Sequence, residues 1–264
     1  MFFTNKKVLT GILVMFVLLL IPATNLNAAT KKNQFVKKKG YTYYYDENGK
    51  KIKDTIYEVK GGSYYFDKNG VMIKGWVKKG KKYYYFDRKT GKMKKNCKVD
   101  DIKLKKDGTA KTDKDSKKKI ETMITARKVV AKITKPTDKQ SVKIKACCKY
   151  IMDMPYARPP RFLKSVEKNK GWECDYANDM FKYGKGDCIS ESCALGFLMK
   201  ELGMKNVYVC YDSKDSHAHA WTEVNGKVYD TLFAEAKKDH GYLGVTYKEY
   251  SYNGITKAPY KRKI

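Results

Sequence analysis

No apolar run in this 264-residue chain is long enough to cross a membrane. The longest, Val8–Ile21, has fourteen residues, short of the roughly 20 that a spanning helix needs. Two lysines precede it, Pro22 breaks it, and the small residues Ala28 and Ala29 follow. That is the layout of a secretory signal peptide, predicted over residues 1–28. No cysteine stands near the cleavage site, which excludes a lipid-anchored lipoprotein, and the basic end Tyr260–Ile264 carries no apolar sorting tail. The mature chain is expected to be secreted, with no transmembrane span and no covalent anchor. Histidine is scarce, with three in the chain, and there is no C-x-x-C pair. No metal and no cofactor are therefore expected, and the remaining metal alternative is His217 with His219 and a cysteine as third ligand.

Acidic residues are also few, 28 against 57 lysines and arginines, for a formal net charge of +29. Without Lys6 and Lys7 of the signal peptide, 55 basic residues face 28 acidic ones, or +27. Residues 29–118 hold 28 basic and 11 acidic residues (+17). Such a field favours polyanions. A secreted chain with no nucleic-acid motif points to wall teichoic acid or an anionic cell surface rather than to nucleic acid. The seven cysteines are an odd number in an exported protein, so at least one is unpaired or bridges two chains.

A short unit recurs in the first half. Tyr44-Tyr45-Asp46-Glu47-Asn48-Gly49, Tyr65-Phe66-Asp67-Lys68-Asn69-Gly70 and Tyr85-Phe86-Asp87-Arg88-Lys89-Thr90-Gly91 follow one another at spacings of 21 and 20 residues. Lys106-Asp107-Gly108-Thr109 is a faded fourth copy. Each reads as an aromatic strand, an Asx-Gly turn and a basic strand, a hairpin that must stack on its neighbours to bury anything. Gly75-Trp76-Val77 precedes the third hairpin. Over about residues 35 to 110 the chain resembles the cell-wall-binding repeats of Gram-positive surface proteins, the choline-binding and glucan-binding type. The resemblance implies that aromatics line shallow sites for choline or sugar, with Tyr44, Tyr45, Tyr65, Phe66, Trp76, Tyr85 and Phe86 as candidates. Trp76 is the single tryptophan of the set, whereas a full cage around a cation wants several aromatics. The alternative is that the Tyr/Phe pairs only pack hairpins together.

Residues 111–120 lack large apolar side chains until Ile120 and read as a solvated linker. A second domain, residues 121–264, is predicted to open with helices near 121–133 and 138–153. The proline-bearing stretch through Tyr156–Phe162 is expected to be irregular and to border a cleft, with a further helix over Trp172–Tyr183. Apolar side chains at 189, 193 and 197, and at 194, 198 and 202, give the stripe of a buried helix that Cys188 opens, with Asp187 as N-cap. Gly203 is placed to end it. Downstream, Ala218–Val224 and Lys227–Phe233 flank Asn225-Gly226, the signal for a two-residue type I′ turn. That register sets Trp221 opposite Asp230 and His219 opposite Leu232, so His219 and Asp230 are diagonal neighbours, roughly 6–7 Å apart at Cβ. His217 is two residues farther from Asp230.

Cys188, His219 and Asp230 are the residue types that attack on an amide carbonyl requires: a thiolate, a base and a carboxylate to orient the base. Over about residues 125 to 235 the sequence resembles the transglutaminase-like (papain-superfamily) domain. The resemblance rests on G-x-C opening a helix, L-G-M before a strand, H-A-W in mid-strand and an aspartate after V-Y. It implies Cys188 as nucleophile, His219 as general base and Asp230 as orienting carboxylate, acting in acyl transfer on a protein or peptide substrate. Hydrolysis and cross-linking both stay open, as does a wall-binding or adhesion protein in which the domain is an inactive scaffold. The expected architecture is multidomain, a β-hairpin repeat solenoid followed by an α+β transglutaminase-like domain.

Overall fold

The computed structural model describes residues 31–264, apart from Pro159, 215–217, Asp239, Ser251 and Asn253. The predicted signal peptide and His217 lie outside the described residues.

Three antiparallel hairpins come first: β1 (Gln34–Lys38) with β2 (Tyr41–Tyr45), β3 (Thr55–Val59) with β4 (Gly62–Phe66), and β6 (Gly75–Lys79) with β7 (Lys82–Phe86). A short β5 (Met72–Ile73) pairs on β4, and β8 (Lys98–Val99) pairs with β9 (Ile102–Lys103). The turn assignment needs correcting. Within the first two hairpins the two-residue turns are Lys39-Gly40 and Lys60-Gly61, and all four residues have positive φ, between 47° and 80°, as a I′ turn requires. The Asp-to-Gly segments instead link one hairpin to the next. In each, the aspartate carboxylate accepts backbone amides two to four residues on: Asp46 from Asn48 and Lys50, Asp67 from Asn69 and Val71, Asp87 from Lys89 and Thr90. Gly49, Gly70 and Gly91 close these loops at φ of 77–80°, where any Cβ is strained. Asp107, which accepts from the Thr109 amide at 2.9 Å, with Gly108 at φ 87°, builds the same loop in the fourth copy.

Next come α1 (Lys114–Ile133), α2 (Gln140–Met152), α3 (Leu163–Val166), α4 (Trp172–Tyr183) and α5 (Cys188–Glu201). Residues 111–120 are thus not the expected linker. Asp113 caps α1 with a reciprocal capping box to Ser116, and from Ile120 onward the helix buries Ile120, Met123 and Ala126. The lysines before Ile120 form its wet first turns, and polarity alone reads such turns as a linker.

The sheet of the second half is antiparallel, in the order β13 (Leu243–Val245), β12 (Lys227–Tyr229), β11 (Ala220–Val224), β10 (Val207–Tyr211), β14 (Tyr260–Lys263). A short α6 (Thr231–Ala236) follows β12. Helix α5 lies between this sheet and the other helices, with twelve of its fourteen residues buried. The fold class is therefore β-hairpin repeats plus an α+β C-terminal part.

The two parts share a core. Trp76, Tyr83, Ile102 and Leu104 from the repeat region pack in one cluster with Ile120, Met123, Leu195, Phe197 and Leu198. At the C-terminal end of α5, Arg88 donates to the Glu201 carbonyl at 2.6 Å and to its carboxylate at 2.9 Å. Lys200 pairs with Asp100 at 3.0 Å, and Asp100 accepts from Trp76 Nε1 at 2.8 Å. Among the described residues no helix is long and apolar enough to span a membrane. All seven cysteines are free thiols, and six of them are buried.

Candidate functional site

Two backbone features place Cys188. The Gly186 carbonyl accepts from the Ala157 amide at 2.7 Å, and a Cβ on Gly186 would come within 2.5 Å of the Ser190 Cβ. Glycine is needed for that close approach. Asp187 then caps α5, its carboxylate accepting from the Ser190 amide and hydroxyl, both at 2.9 Å. At the other end Leu202 caps the helix and Gly203 follows at φ 84°.

The thiol of Cys188 is 5% exposed and donates to the Ala218 carbonyl at 3.3 Å, the residue before His219. Burial first, then the negative charges of Asp187, Glu191 and Asp230, push this thiol well above its ordinary value, partly offset by the Ala220 amide. The positive end of the helix does not outweigh them, so ionising the sulfur needs a base.

His219 is 6% exposed and Asp230 fully buried. The His219 Nε2 and Asp230 Oδ2 atoms are 2.6 Å apart. With Nε2 committed to the carboxylate, Nδ1 is the other ring nitrogen. The register is as expected as far as it runs, Val224 facing Lys227 and Thr222 facing Tyr229, with Asn225 and Gly226 both at positive φ. The expected pairing then stops. Strand β12 ends at Tyr229, and Asp230 is the N-cap of α6, its Oδ1 accepting from the Phe233 amide at 3.0 Å. Leu232 is helical, not opposite His219. Asp230 nevertheless turns its second oxygen to the histidine.

Several partners were not legible in the sequence. Tyr250 donates to Asp230 Oδ2 at 2.6 Å. Asp212 accepts from the His219 amide at 2.8 Å and from the Tyr252 hydroxyl at 2.7 Å. Phe233 stacks on the imidazole, centroids 4.3 Å apart. The aromatic run Tyr247, Tyr250, Tyr252 was the available signal. Glu191, one turn into α5, accepts from Thr231 at 2.7 Å, and burial pushes its carboxyl up to about 8. Thr231 follows Asp230, so this bond ties the cysteine's helix to the residue that holds the histidine. A pocket of about 130 Å³ opens beside the sulfur, lined by Tyr156, Arg158, Arg161, Phe162 and Tyr176 among others. No group of three or more metal-ligating side chains occurs among the described residues.

The candidate wall-binding aromatics divide in two. Tyr44, Phe66, Trp76 and Phe86 are buried, Phe66 and Phe86 completely. They hold hairpins together, as in the packing alternative, and Trp76 meets Tyr85 edge-on at 5.2 Å. A full desolvated ring cannot also face a ligand. Tyr45, Tyr65 and Tyr85 stay partly exposed. Tyr65 lines a groove of about 950 Å³ between the repeats and α1, together with Tyr41, Tyr43, Asp67, Glu121 and Arg127. Tyr41, Tyr43 and Tyr45 alternate along β2 and share a face, a period-two signal that the Tyr44-Tyr45 motif obscured.

Residues 56–97 match the choline-binding repeat family, and residues 33–51 match the cell wall binding repeat family. The N-terminal part is thus an array of repeats of the choline-binding and cell-wall-binding repeat type. Among solved structures, choline binding protein F of Streptococcus pneumoniae, crystallised with a peptidoglycan analogue, is 32% identical over 30% of this chain and 27% of its own, with a TM-score of 0.28. The pneumococcal cell wall endolysin from phage Cp-1, complexed with choline, is 32% identical over 25% of this chain and 19% of its own, TM-score 0.23. A choline binding domain from Streptococcus pneumoniae is 25% identical over 30% of this chain and 93% of its own, TM-score 0.28. The chain therefore spans about a quarter of choline binding protein F and less of the endolysin. No curated protein matches it.

Proposed function

We propose that this is a secreted protein held non-covalently on a Gram-positive-type wall by its repeats, with a transglutaminase-like domain carrying a Cys188–His219–Asp230 acyl-transfer centre. The observation that carries the catalytic half is the buried 2.6 Å contact between His219 and Asp230, with the Cys188 thiol on the carbonyl of the preceding residue. In the proposed reaction His219 Nδ1 takes the thiol proton as the sulfur attacks an amide carbonyl. Asp230 stabilises the imidazolium. The tetrahedral adduct collapses as the imidazolium protonates the departing amine, leaving an acyl thioester on Cys188. Water, or an amine in cross-linking, then attacks the thioester, gives its proton to His219 and releases the acyl product with the thiol restored. Water is the default acceptor unless a site excludes it, which favours hydrolysis.

For the binding half, the repeat matches support a ligand of the choline or wall-polysaccharide kind, and the +17 charge of residues 29–118 supports a contribution from teichoic acid. A second reading, a wall-binding or adhesion protein with an inactive scaffold, is favoured by the fact that both family matches fall within residues 33–97. One experiment separates them: site-resolved alkylation by iodoacetamide at neutral pH, in the wild type and His219→Ala. Fast, histidine-dependent labelling of Cys188 over the other five buried thiols supports the enzyme. Labelling of Cys188 no faster than those thiols would leave the scaffold reading.

A further inference from the structure

The pocket beside Cys188 has an uneven charge. Its rim carries two large apolar side chains turned to solvent, Tyr156 at 60% and Phe162 at 56% exposure. Its charged side chains are Arg158, Arg161 and Asp187. Asp187 directs Oδ1 to the Ser190 amide and hydroxyl and so faces its own helix. Arg161 is ion-paired with Asp179, lies over the Tyr176 ring at 5.5 Å, and accepts the Tyr176 hydroxyl on its carbonyl at 3.1 Å. That fixes the guanidinium in the wall. Arg158 makes no hydrogen bond or ion pair among the described residues, and it is exposed. The backbone holds its position, because Ala157 donates to Gly186 and Tyr156 bridges to Gly186, two residues before the sulfur. Guanidinium groups on an aromatic wall suit a planar carboxylate, and a volume of about 130 Å³ admits only a few non-hydrogen atoms.

We propose that this pocket receives a carboxylate carried by the acyl group that bonds to Cys188, so that the acyl donors are short and anionic. The proposal rests on the thiol acyl-transfer reading and names its substrate class. Arg158 supplies the free charge, while Arg161, with its partner Asp179, shapes the wall. A neutral acyl group of the same size would leave the Arg158 charge without a counter-ion at the pocket mouth.

The test uses two alkylating agents that react at the same carbon and differ in charge, iodoacetate and iodoacetamide, on the full-length protein with site-resolved mass spectrometry. Cys97, flanked by Lys94, Lys95 and Lys98 and partly exposed, is a demanding internal reference for the general positive field. The iodoacetate-to-iodoacetamide rate ratio at Cys188 should exceed that at Cys97 by about fivefold, the attraction of one unit charge about 4 Å away in a water-like medium. It should fall to the Cys97 value in Arg158→Gln, and salt should lower it. Protection of Cys188 by N-acetylaspartate α-amide would mark a side-chain carboxylate, and protection by N-acetylalanine a chain-terminal one. Equal ratios at Cys188 and Cys97, with Cys188 still labelled by iodoacetamide, would overturn the anionic-donor assignment and leave the thiol centre standing. Labelling of Cys97 with Cys188 inert to both reagents would overturn both.

Discussion

The two ends of helix α5 are put to opposite uses. Its first residue is Cys188, whose thiol rests on the Ala218 carbonyl, one residue before His219, and lines a small pocket that opens outward. Its last turn is clamped by the repeat region: Arg88 on the Glu201 carbonyl and carboxylate, Asp100 on Lys200, and Trp76 buried behind Asp100. The hairpins differ accordingly. Tyr44, Val59, Tyr64 and Phe66 of the first two form a cluster of their own, whereas Trp76 and Tyr83 of the third belong to the main core. One repeated unit thus serves as a peripheral module in two copies and as part of the C-terminal core in the next.

The sharpest way to break this comparison is at the N-terminal end of α5. If the thiol centre is catalytic, Cys188→Ala should abolish acyl transfer and leave the melting temperature near that of the wild type, because the change removes one sulfur from a site needed for chemistry. Residual turnover in the purified variant would place the chemistry elsewhere. Asp230→Asn should follow, lowering kcat by about two or more orders of magnitude with less effect on KM, since an amide cannot stabilise an imidazolium. Unchanged kcat, with circular dichroism showing a native fold, would mean that Tyr250 or another group holds the histidine.

At the opposite end the expected effects are on stability. Trp76→Ala should cost about 3–5 kcal/mol, as for a large aromatic removed from a packed core, and should lower the unfolding midpoint of the C-terminal part as well as that of the repeats. Loss confined to the repeats would show that the shared core does not couple them. Arg88→Ala should cost about 1–3 kcal/mol, because it strips the partner from a carboxylate that is largely buried. A denaturant midpoint equal to that of the wild type would remove the clamp from the account. The smallest effect belongs to the repeat loops. Asp87 is held down to about 2, chiefly by the Thr90 amide. A depressed carboxyl stabilises the fold above its unfolded value and loses that contribution as pH falls through about 4 toward 2. Asp87→Asn should therefore lower the stability of the repeats modestly at neutral pH, where that contribution is fully present, and make them less sensitive to acid over that window. The same acid loss in both proteins would assign it to other carboxylates.

Much of the secondary structure was legible because it is local. The buried stripe of α5, its Asp187 cap and the Asn225-Gly226 turn each depend on residues within a few positions of one another, and each stands where periodicity and turn chemistry put it. The Asp-Gly loops are equally local, but they join hairpins rather than turn within them. The linker was misread for the same reason: the wet first turns of α1 look like coil until the capping box at Asp113 and Ser116 is weighed.

By itself, then, the sequence determined that hairpin repeats precede an α+β part, that the repeats are similar to the choline-binding repeat type, and which side chains open α5 and flank the Asn-Gly turn. Tertiary structure decided the rest. It ended β12 at Tyr229 so that Asp230 caps a helix and meets His219 and Tyr250. It buried four of the seven aromatics expected to face a ligand, and it joined the third hairpin to the end of α5. These outcomes depend on which surfaces remain to be covered once distant segments meet. Burial of an aromatic or pairing of a charge is a property of that encounter, and no short window of sequence contains it.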